Sequence, residues 1–482
     1  THYKLVKAML MAGKNVYVEK PISTVAQEAK EDFQTYRKNI LTGYQSYRQN
    51  ILDDYAKFLN GIWNEYEIFA GKKANPLPKP KTQPQIAKEE PQKPPISVVP
   101  EEIKPVEPAV ENISPETKPI VMPPIPMTSV NWCGMEMQLP EVRIKENLNS
   151  INKESLASYW EILDNTNLCK KVFPQMTNIA TSCNFNDWCL CMLFECYVKR
   201  IKANADYNTR NFICWYLMVN YGYDARLTFN GTQLFYLIPF QQQVFARDYL
   251  TIKGEPYYLW GEGTPDKEKR FSTPELPEKV GEPVNLVFLK PLNIPYRAKS
   301  FSHTFAGKTL SVSVNENLIQ VMKQIPQMPV PAYAYSAGDH KFRTQLLNQI
   351  KQFINGMNEL DAANFILQFI QSLEYATDEE QFGYEKPFFI EESLYYPKCD
   401  CEDRAIFYCS LIKELLQTDI HLVHYPGHEC TAICLGDHIT GDGYMYKGHK
   451  YLIADPTYIG ANVGMCMPDF RDKQPEIELI EK

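Results

Sequence analysis

The chain has 482 residues, 44% hydrophobic and 22% charged, with a formal net charge of −8. That length calls for two or three cores, and the composition is globular rather than disordered. The acidic balance argues against a nucleic-acid scaffold, which carries a basic face, and no apolar run reaches the roughly 18 residues of a membrane span. Thirteen cysteines, an odd number with no C-x-x-C pair, argue against zinc ribbons and a disulfide framework. No metal or cofactor site is expected.

Residues 1–30 contain Ala12-Gly13-Lys14-Asn15-Val16-Tyr17-Val18-Glu19-Lys20-Pro21-Ile22. This text resembles the Glu-Lys-Pro strand of the glucose-fructose oxidoreductase and inositol dehydrogenase family, where it follows a Gly-rich dinucleotide-binding unit. The chain contains no G-x-G-x-x-G, so nicotinamide binding is not expected and the segment is left without a role. The apolar stretch Ala8–Ala12 is shorter than a signal-peptide core of ~7–15 residues, so no signal peptide is read in the given chain.

Residues 31–72 repeat every eleven positions: Phe33, Tyr44, Tyr55 and Tyr66 form one column, and Tyr36, Tyr47, Phe58 and Phe69 another. Eleven residues in three turns is close to a straight α-helix, so a long amphipathic helix is expected. Its aromatic face needs a partner, and self-association is the expected one, with packing on the rest of the chain as the alternative. Residues 73–127 follow as a linker: 15 of the 35 prolines fall between Pro76 and Pro126, without one aromatic residue. Such text favours extended polyproline II and reads as a semi-rigid spacer.

From 128 to 300 the pattern is mixed α/β, with helical spacing at Cys189–Lys199 and Asn211–Val219 and strand-like runs at Ala225–Phe229, Gln233–Phe240 and Tyr257–Trp260. Residues 301–482 open with helical text at Phe342–Met357 and Asp361–Leu373 and return to strands at Ile420–His424, Cys430–Leu435 and Tyr451–Ala454. Between them lies Cys399-Asp400-Cys401-Glu402-Asp403-Arg404-Ala405, leading into apolar positions at Ile406, Cys409, Ile412, Leu415 and Leu416. Asp400 is the expected N-cap, which sets Cys401 in the first turn, where the helix dipole favours a thiolate. A nucleophilic thiol needs a base and a group to orient it. His428, opening one strand, and Asp455, ending another, follow at intervals of 27 residues. Cys399 is an alternative nucleophile, His424 an alternative base, and a plain buried cysteine the alternative to both.

Asp400-Cys401-Glu402-Asp403-Arg404-Ala405, then Tyr425-Pro426-Gly427-His428, then Ala454-Asp455-Pro456-Thr457-Tyr458 together resemble the transglutaminase-like cysteine enzymes of papain-like fold, in a bacterial multidomain form. The resemblance implies Cys401 as nucleophile, His428 as general base and then acid, and Asp455 as the orienting carboxylate. The oxyanion would be held by the Cys401 backbone N–H, with Tyr395 or Tyr396 as a further donor. It also implies protein or peptide amides as substrates, through a thioester intermediate, with hydrolysis favoured over cross-linking. A bacterial envelope or periplasmic place follows from the resemblance, with the cytoplasm as the alternative. The expected fold is α+β: a C-terminal papain-like domain with a helix-borne cysteine on an antiparallel sheet, a middle α/β domain, the helix 31–72 and the linker. Setting Asp224 against Asp419 aligns Phe212 with Phe407, Cys214 with Cys409 and Leu217 with Ile412, and puts Asp206 where Cys401 stands. The middle domain is therefore read as a degenerate copy without a nucleophile. The rival function is a non-catalytic binding or scaffold protein.

Overall fold

The computed structural model describes residues 63–71, 79–85, 126–274 and 281–478. Residues 1–30, the 31–62 part of the expected helix and its self-association lie outside them. Among the described residues, no helix is long and apolar enough to cross a membrane.

The 63–71 part of the expected helix is corrected, and residue 72 lies outside the described residues. Trp63–Tyr66 is a strand, β1, paired antiparallel with Phe271–Pro274, and Phe69 bridges to Tyr249. Trp63 and Tyr66 are aromatic residues that also suit a strand, and an open sheet edge supplies backbone partners that a lone helix face lacks. Linker residues 79–85 are likewise not free spacer: Lys79 is buried against the C-terminal unit.

After the linker, β2 (Met127–Trp132) and β3 (Met135–Pro140) form a hairpin. Four helices follow: α1 (Lys153–Asn165), α2 (Leu168–Cys183), α3 (Asp187–Ile201) and α4 (Tyr207–Tyr221). Three of them begin on side-chain caps, Asn152, Asn186 and Asp206, whose oxygens accept from the N–H three residues on. Next come β4 (Arg226–Asn230), β5 (Gln233–Ile238), β6 (Tyr249–Ile252), β7 (Glu255–Trp260) and β8 (Phe271–Pro274). With β1 they make one antiparallel sheet in the order β1-β8-β4-β5-β7-β6, and α4 packs on β5.

A second hairpin, β9 (Ala298–Phe305) with β10 (Lys308–Asn315), leads into α5 (Glu316–Met322), α6 (Val330–Tyr335), α7 (His340–Phe353), α8 (Glu359–Gln371) and α9 (Asp378–Phe382). A short 3-10 turn, Glu392–Leu394, precedes α10 (Cys401–Leu415). The last sheet is built from β11 (Ile420–Tyr425), β12 (His428–Ile433), β13 (Gly443–Tyr446), β14 (His449–Ala454) and β15 (Glu476–Glu478). Its order is β13-β14-β12-β11-β15, antiparallel throughout, with α10 buried against β12, β11, α6 and α8. The architecture is α+β with antiparallel sheets. One continuous apolar cluster runs from Val130 through α3, α4 and α8 to α10 and Val463.

Candidate functional site

Helix α10 begins at Cys401, as the cap reading expects. Asp403 reaches back to accept from the Asp400 backbone N–H at 3.1 Å and takes the Phe388 N–H at 2.8 Å, which fixes the helix start against the preceding loop. His428 is the first residue of β12 and Asp455 follows the last residue of β14, its partner strand. Antiparallel pairing therefore brings imidazole and carboxylate together across 27 residues of chain. His428 Nε2 lies 2.8 Å from Asp455 Oδ2, with both side chains buried. The other carboxylate oxygen accepts from the backbone N–H groups of Thr457 (2.8 Å) and Tyr458 (3.2 Å), the local turn that Asp-Pro-Thr builds. The His428 ring stacks on Phe470 at 5.2 Å, and Phe470 stacks in turn on Tyr425 at 4.9 Å. His428 Nδ1 has no hydrogen-bond partner among the described residues.

The thiol departs from expectation. Cys401 is fully buried, and its sulfur donates to Glu402 Oε2 at 3.3 Å rather than to His428. Burial first, then the Glu402 and Asp400 carboxyls, push the thiol well above its ordinary pKa, and the Lys79 ammonium and the Glu429 N–H offset this only in part. The helix-dipole argument for a ready thiolate is thereby corrected: desolvation and two adjacent carboxyls outweigh one helix terminus. Cys399, the alternative nucleophile, is buried with its sulfur 3.8 Å from the Glu374 carbonyl oxygen. His424, the alternative base, pairs with Glu429 Oε2 at 3.0 Å. His421 is buried and stacks on Tyr451 at 4.1 Å.

Tyr395 and Tyr396 lie just after the 3-10 turn. Lys299 sits over the Tyr395 ring at 3.8 Å, and Tyr396 packs between Phe382 and Phe388. Neither hydroxyl hydrogen-bonds to Cys401 or its neighbours among the described residues.

Four participants escape the sequence reading. Gln371 is a buried polar residue on the apolar face of α8. Its Nε2 donates to the carbonyls of Asp455 (3.1 Å) and Ala461 (3.0 Å), and its Oε1 accepts from Gly460 N–H (3.0 Å). A glutamine among Ile366, Leu367, Phe369 and Ile370 is the signal that could have found it. Glu402 sits inside the motif, but its hold on the thiol has no sequence mark. Phe470 and Lys79 arrive from distant segments that no local pattern connects to the site.

Lys79 places its ammonium 2.7 Å from Asp400 Oδ2, 2.8 Å from Glu385 Oε2, 3.6 Å from Asp378 Oδ2, and in contact with Glu402 Oε1. Burial alone would lower its pKa, but Glu402 and Asp400 push it above the ordinary lysine value. Burial and Glu402 push Asp378 up to about 7. Among the described residues, ligand atoms lie close enough for a metal ion in one set at the imidazole, His428, Cys430 and Asp455, and in a second region of three overlapping sets near Lys79: Asp400, Cys401 and Glu402; Asp378, Glu385 and Glu402; and Asp378, Asp400 and Asp403. In the first set the imidazole and carboxylate are bonded to each other, and in the second an ammonium already supplies the positive charge.

The family model that matches this chain is an oxidoreductase family with an NAD-binding Rossmann fold, over residues 1–44. That span holds the Glu-Lys-Pro text and lies outside the described residues. No transglutaminase-like model matches, so recognition of the chain as a transglutaminase-like enzyme is corrected. The physical reason is that three short pieces, a helix start and two strand ends, specify a constellation of side chains, and such constellations recur on unrelated folds. No curated protein and no solved structure matches the chain.

Proposed function

We propose that the C-terminal unit performs cysteine-dependent acyl transfer, with Cys401 as nucleophile, His428 as base and then acid, and Asp455 as the orienting carboxylate. The observation that carries this is the His428–Asp455 pair, bonded through Nε2 at 2.8 Å, which leaves Nδ1 buried, unpartnered and available as a lone-pair acceptor. With the proton on Nε2 directed at Asp455, the neutral ring has the tautomer a base needs.

In the reaction the thiol rotates from Glu402 to His428 and gives its proton to Nδ1. The sulfur then attacks a carbonyl carbon, and the imidazolium returns the proton to the departing amine, leaving a thioester on Cys401. Water, losing its proton to Nδ1, hydrolyses the thioester and restores the thiol. Protein or peptide amides are the substrate class, and hydrolysis is favoured over cross-linking because water is always at hand.

The test is a mass measurement on the full chain after exposure to an activated acyl ester and to peptide amides. A mass increase on Cys401 that disappears in Cys401→Ala and is slowed at least a hundredfold in His428→Ala is expected. A second reading, a non-catalytic binding module, is favoured by the burial of Cys401 and its bond to Glu402. It predicts no adduct on Cys401 and unchanged function in Cys401→Ala.

A further inference from the structure

We infer that the acidic pocket at the start of α10 is a lysyl-binding site for an extended, proline-flanked peptide, which the chain fills in cis with residues 79–85 and so holds Cys401 shut. The inference rests on the acyl-transfer reading of Cys401 for its consequence, though the pocket itself does not.

Four carboxyl groups, of Asp378, Glu385, Asp400 and Glu402, converge on the single ammonium of Lys79. Asp378, Asp400 and Glu402 are buried. Carboxylates gathered out of water repel one another and are costly to desolvate, so a cation is part of the design of this place. Asp400 Oδ1 keeps an unpartnered buried oxygen even with Lys79 in position.

The rest of the strap is held as a peptide ligand would be. The Pro80 carbonyl accepts from the Tyr375 hydroxyl at 2.8 Å, Gln83 Nε2 donates to the Gln371 carbonyl at 3.2 Å, and the Pro84 carbonyl accepts from Ile459 N–H at 2.9 Å. Gln85 forms a parallel β-bridge with Ile459, while Lys81 and Thr82 point to solvent. The recognised pattern is therefore Lys-Pro-x-x-Gln-Pro, read through one buried ammonium and backbone carbonyls. Prolines suit such a strap, because they have no N–H to satisfy and are already extended before binding.

The anchors are also the supports of the triad. Gln371, which takes Gln83, holds the Asp455 loop, and Ile459 lies at the end of that loop. Glu402 takes the Lys79 ammonium on one oxygen and the Cys401 thiol on the other. While Lys79 is seated, Glu402 remains ionised and keeps the sulfur turned from His428. An acidic pocket emptied of Lys79 loses that arrangement.

The experiment measures alkylation of Cys401 by iodoacetamide at pH 7.5 in EDTA, mapped by mass spectrometry, in the full chain and in Lys79→Ala, with Lys81→Ala as control. The expected result is slow alkylation in the parent and in Lys81→Ala and at least a tenfold faster rate in Lys79→Ala. A synthetic peptide Lys-Pro-Lys-Thr-Gln-Pro-Gln added in trans slows the rate again, and the same peptide with alanine first does not. Equal rates in the parent and a cooperatively folded Lys79→Ala chain overturn the inference. If Lys79→Ala does not fold, Tyr375→Phe, which releases Pro80 without stripping the carboxyls of their cation, is read instead: a severalfold faster rate supports the strap and an unchanged one overturns it. Anisotropy of the fluorescein-labelled peptide on a Lys79→Ala/Cys401→Ala chain separates the two readings. Peptide binding with an inert sulfur in Lys79→Ala refutes acyl transfer and keeps the pocket, whereas a reactive sulfur with no peptide binding refutes the pocket and keeps acyl transfer.

Discussion

The sheet of β4–β8 runs β8-β4-β5-β7-β6, and that of β11–β15 runs β15-β11-β12-β14-β13, so both place their fifth, first, second, fourth and third strands side by side. Each follows a 15-residue helix, α4 or α10, and each opens with a hairpin closed by two residues. The two units thus share a helix-then-sheet order, although their helix starts set Phe212 against Ile406 rather than Phe407. Counted from the helix start, Asp206 matches Asp400, and Tyr207 rather than Asp206 stands in the place of Cys401. The strand start that carries His428 carries Gln233, and the residue after the fourth strand is Gly261 instead of Asp455. An open cleft of about 520 Å³, lined by Asp206, Tyr207, Asn208, Gln233, Gly263 and Thr264, occupies that corner. The difference teaches that the buried scaffold is common and the chemistry is set by the residues at the element ends.

The sharpest break of the comparison is chemical. On the proposed acyl-transfer reading, Cys401→Ala lowers the reaction on the order of 10³-fold or more, whereas Tyr207→Ala leaves it unchanged. The check is acyl-adduct formation by mass spectrometry on each variant. Adduct surviving Cys401→Ala would place the reaction elsewhere in the chain.

Asn211 sharpens the comparison at the fifth residue of the helix. Its amide donates to the Leu234 (2.7 Å) and Glu262 (2.8 Å) carbonyls and accepts from the Glu262 N–H (2.8 Å). The fifth residue of α10 is Ala405, fully buried. Gly261 adopts φ +118°, and a Cβ there would come within 2.9 Å of the Asn211 amide. The middle unit therefore has no room for an aspartate at this position. Asn211→Ala strands one buried and two part-buried backbone groups and lowers unfolding stability by about 1–3 kcal/mol, read from urea denaturation. A change below 0.5 kcal/mol would show that the loop is held by other contacts.

How much of this the sequence discloses follows from distance along the chain. The helices α3, α4 and α10 and the strands β4, β5, β11, β12 and β14 show in apolar runs and spacing because they are packed on most of their faces. His428 and Asp455 are legible because strand ends place them, and Asp400-Cys401 because a cap does. Helix α2 is not read, since Pro174 interrupts its text even though the helix continues through it. Trp63–Tyr66 is misread because a free sheet edge overrides an eleven-residue period. Glu402, which accepts from the thiol, is bound in turn by Lys79, more than 300 residues earlier, and no local rule reaches that far.

The outer strands differ in charge. β15 carries Glu478, half-buried, while its counterpart β8 reads Phe271-Ser272-Thr273-Pro274 without a carboxylate. Burial and the Glu429 charge push Glu478 up to about 7, while His424 pulls it down in part. The folded chain then keeps this proton to about pH 7, whereas the unfolded chain releases it near the ordinary value of 4.5. Stability contributed by the group is complete below that value and is lost as pH rises through about 7, with a slope under about 1.4 kcal/mol per pH unit. Glu478→Gln flattens this fall in urea midpoints measured between pH 5 and 8. His424, held up by its bond to Glu429, adds a fall of the same sign, so the slope that disappears with Glu478→Gln is the part to compare. An unaltered slope would remove Glu478 from the account.

The finest contrast lies at the two helix caps. Asp206 accepts from Thr209 N–H at 2.7 Å and faces the Thr209 hydroxyl at 3.2 Å, so Asp206→Ala costs the middle unit about 1 kcal/mol, an ordinary cap loss. Asp400 instead turns Oδ2 to Lys79 at 2.7 Å. The two substitutions should therefore respond differently when Lys79→Ala is added. Asp206→Ala and Lys79→Ala act on separate groups and add within about 0.5 kcal/mol. Asp400→Ala relieves part of the carboxyl crowding that Lys79→Ala creates, so that pair costs less together than the sum of the single changes. Urea midpoints of the three single and two double variants decide the matter, and strict additivity at Asp400 would mean that the ammonium and this carboxyl, though in contact, are energetically independent.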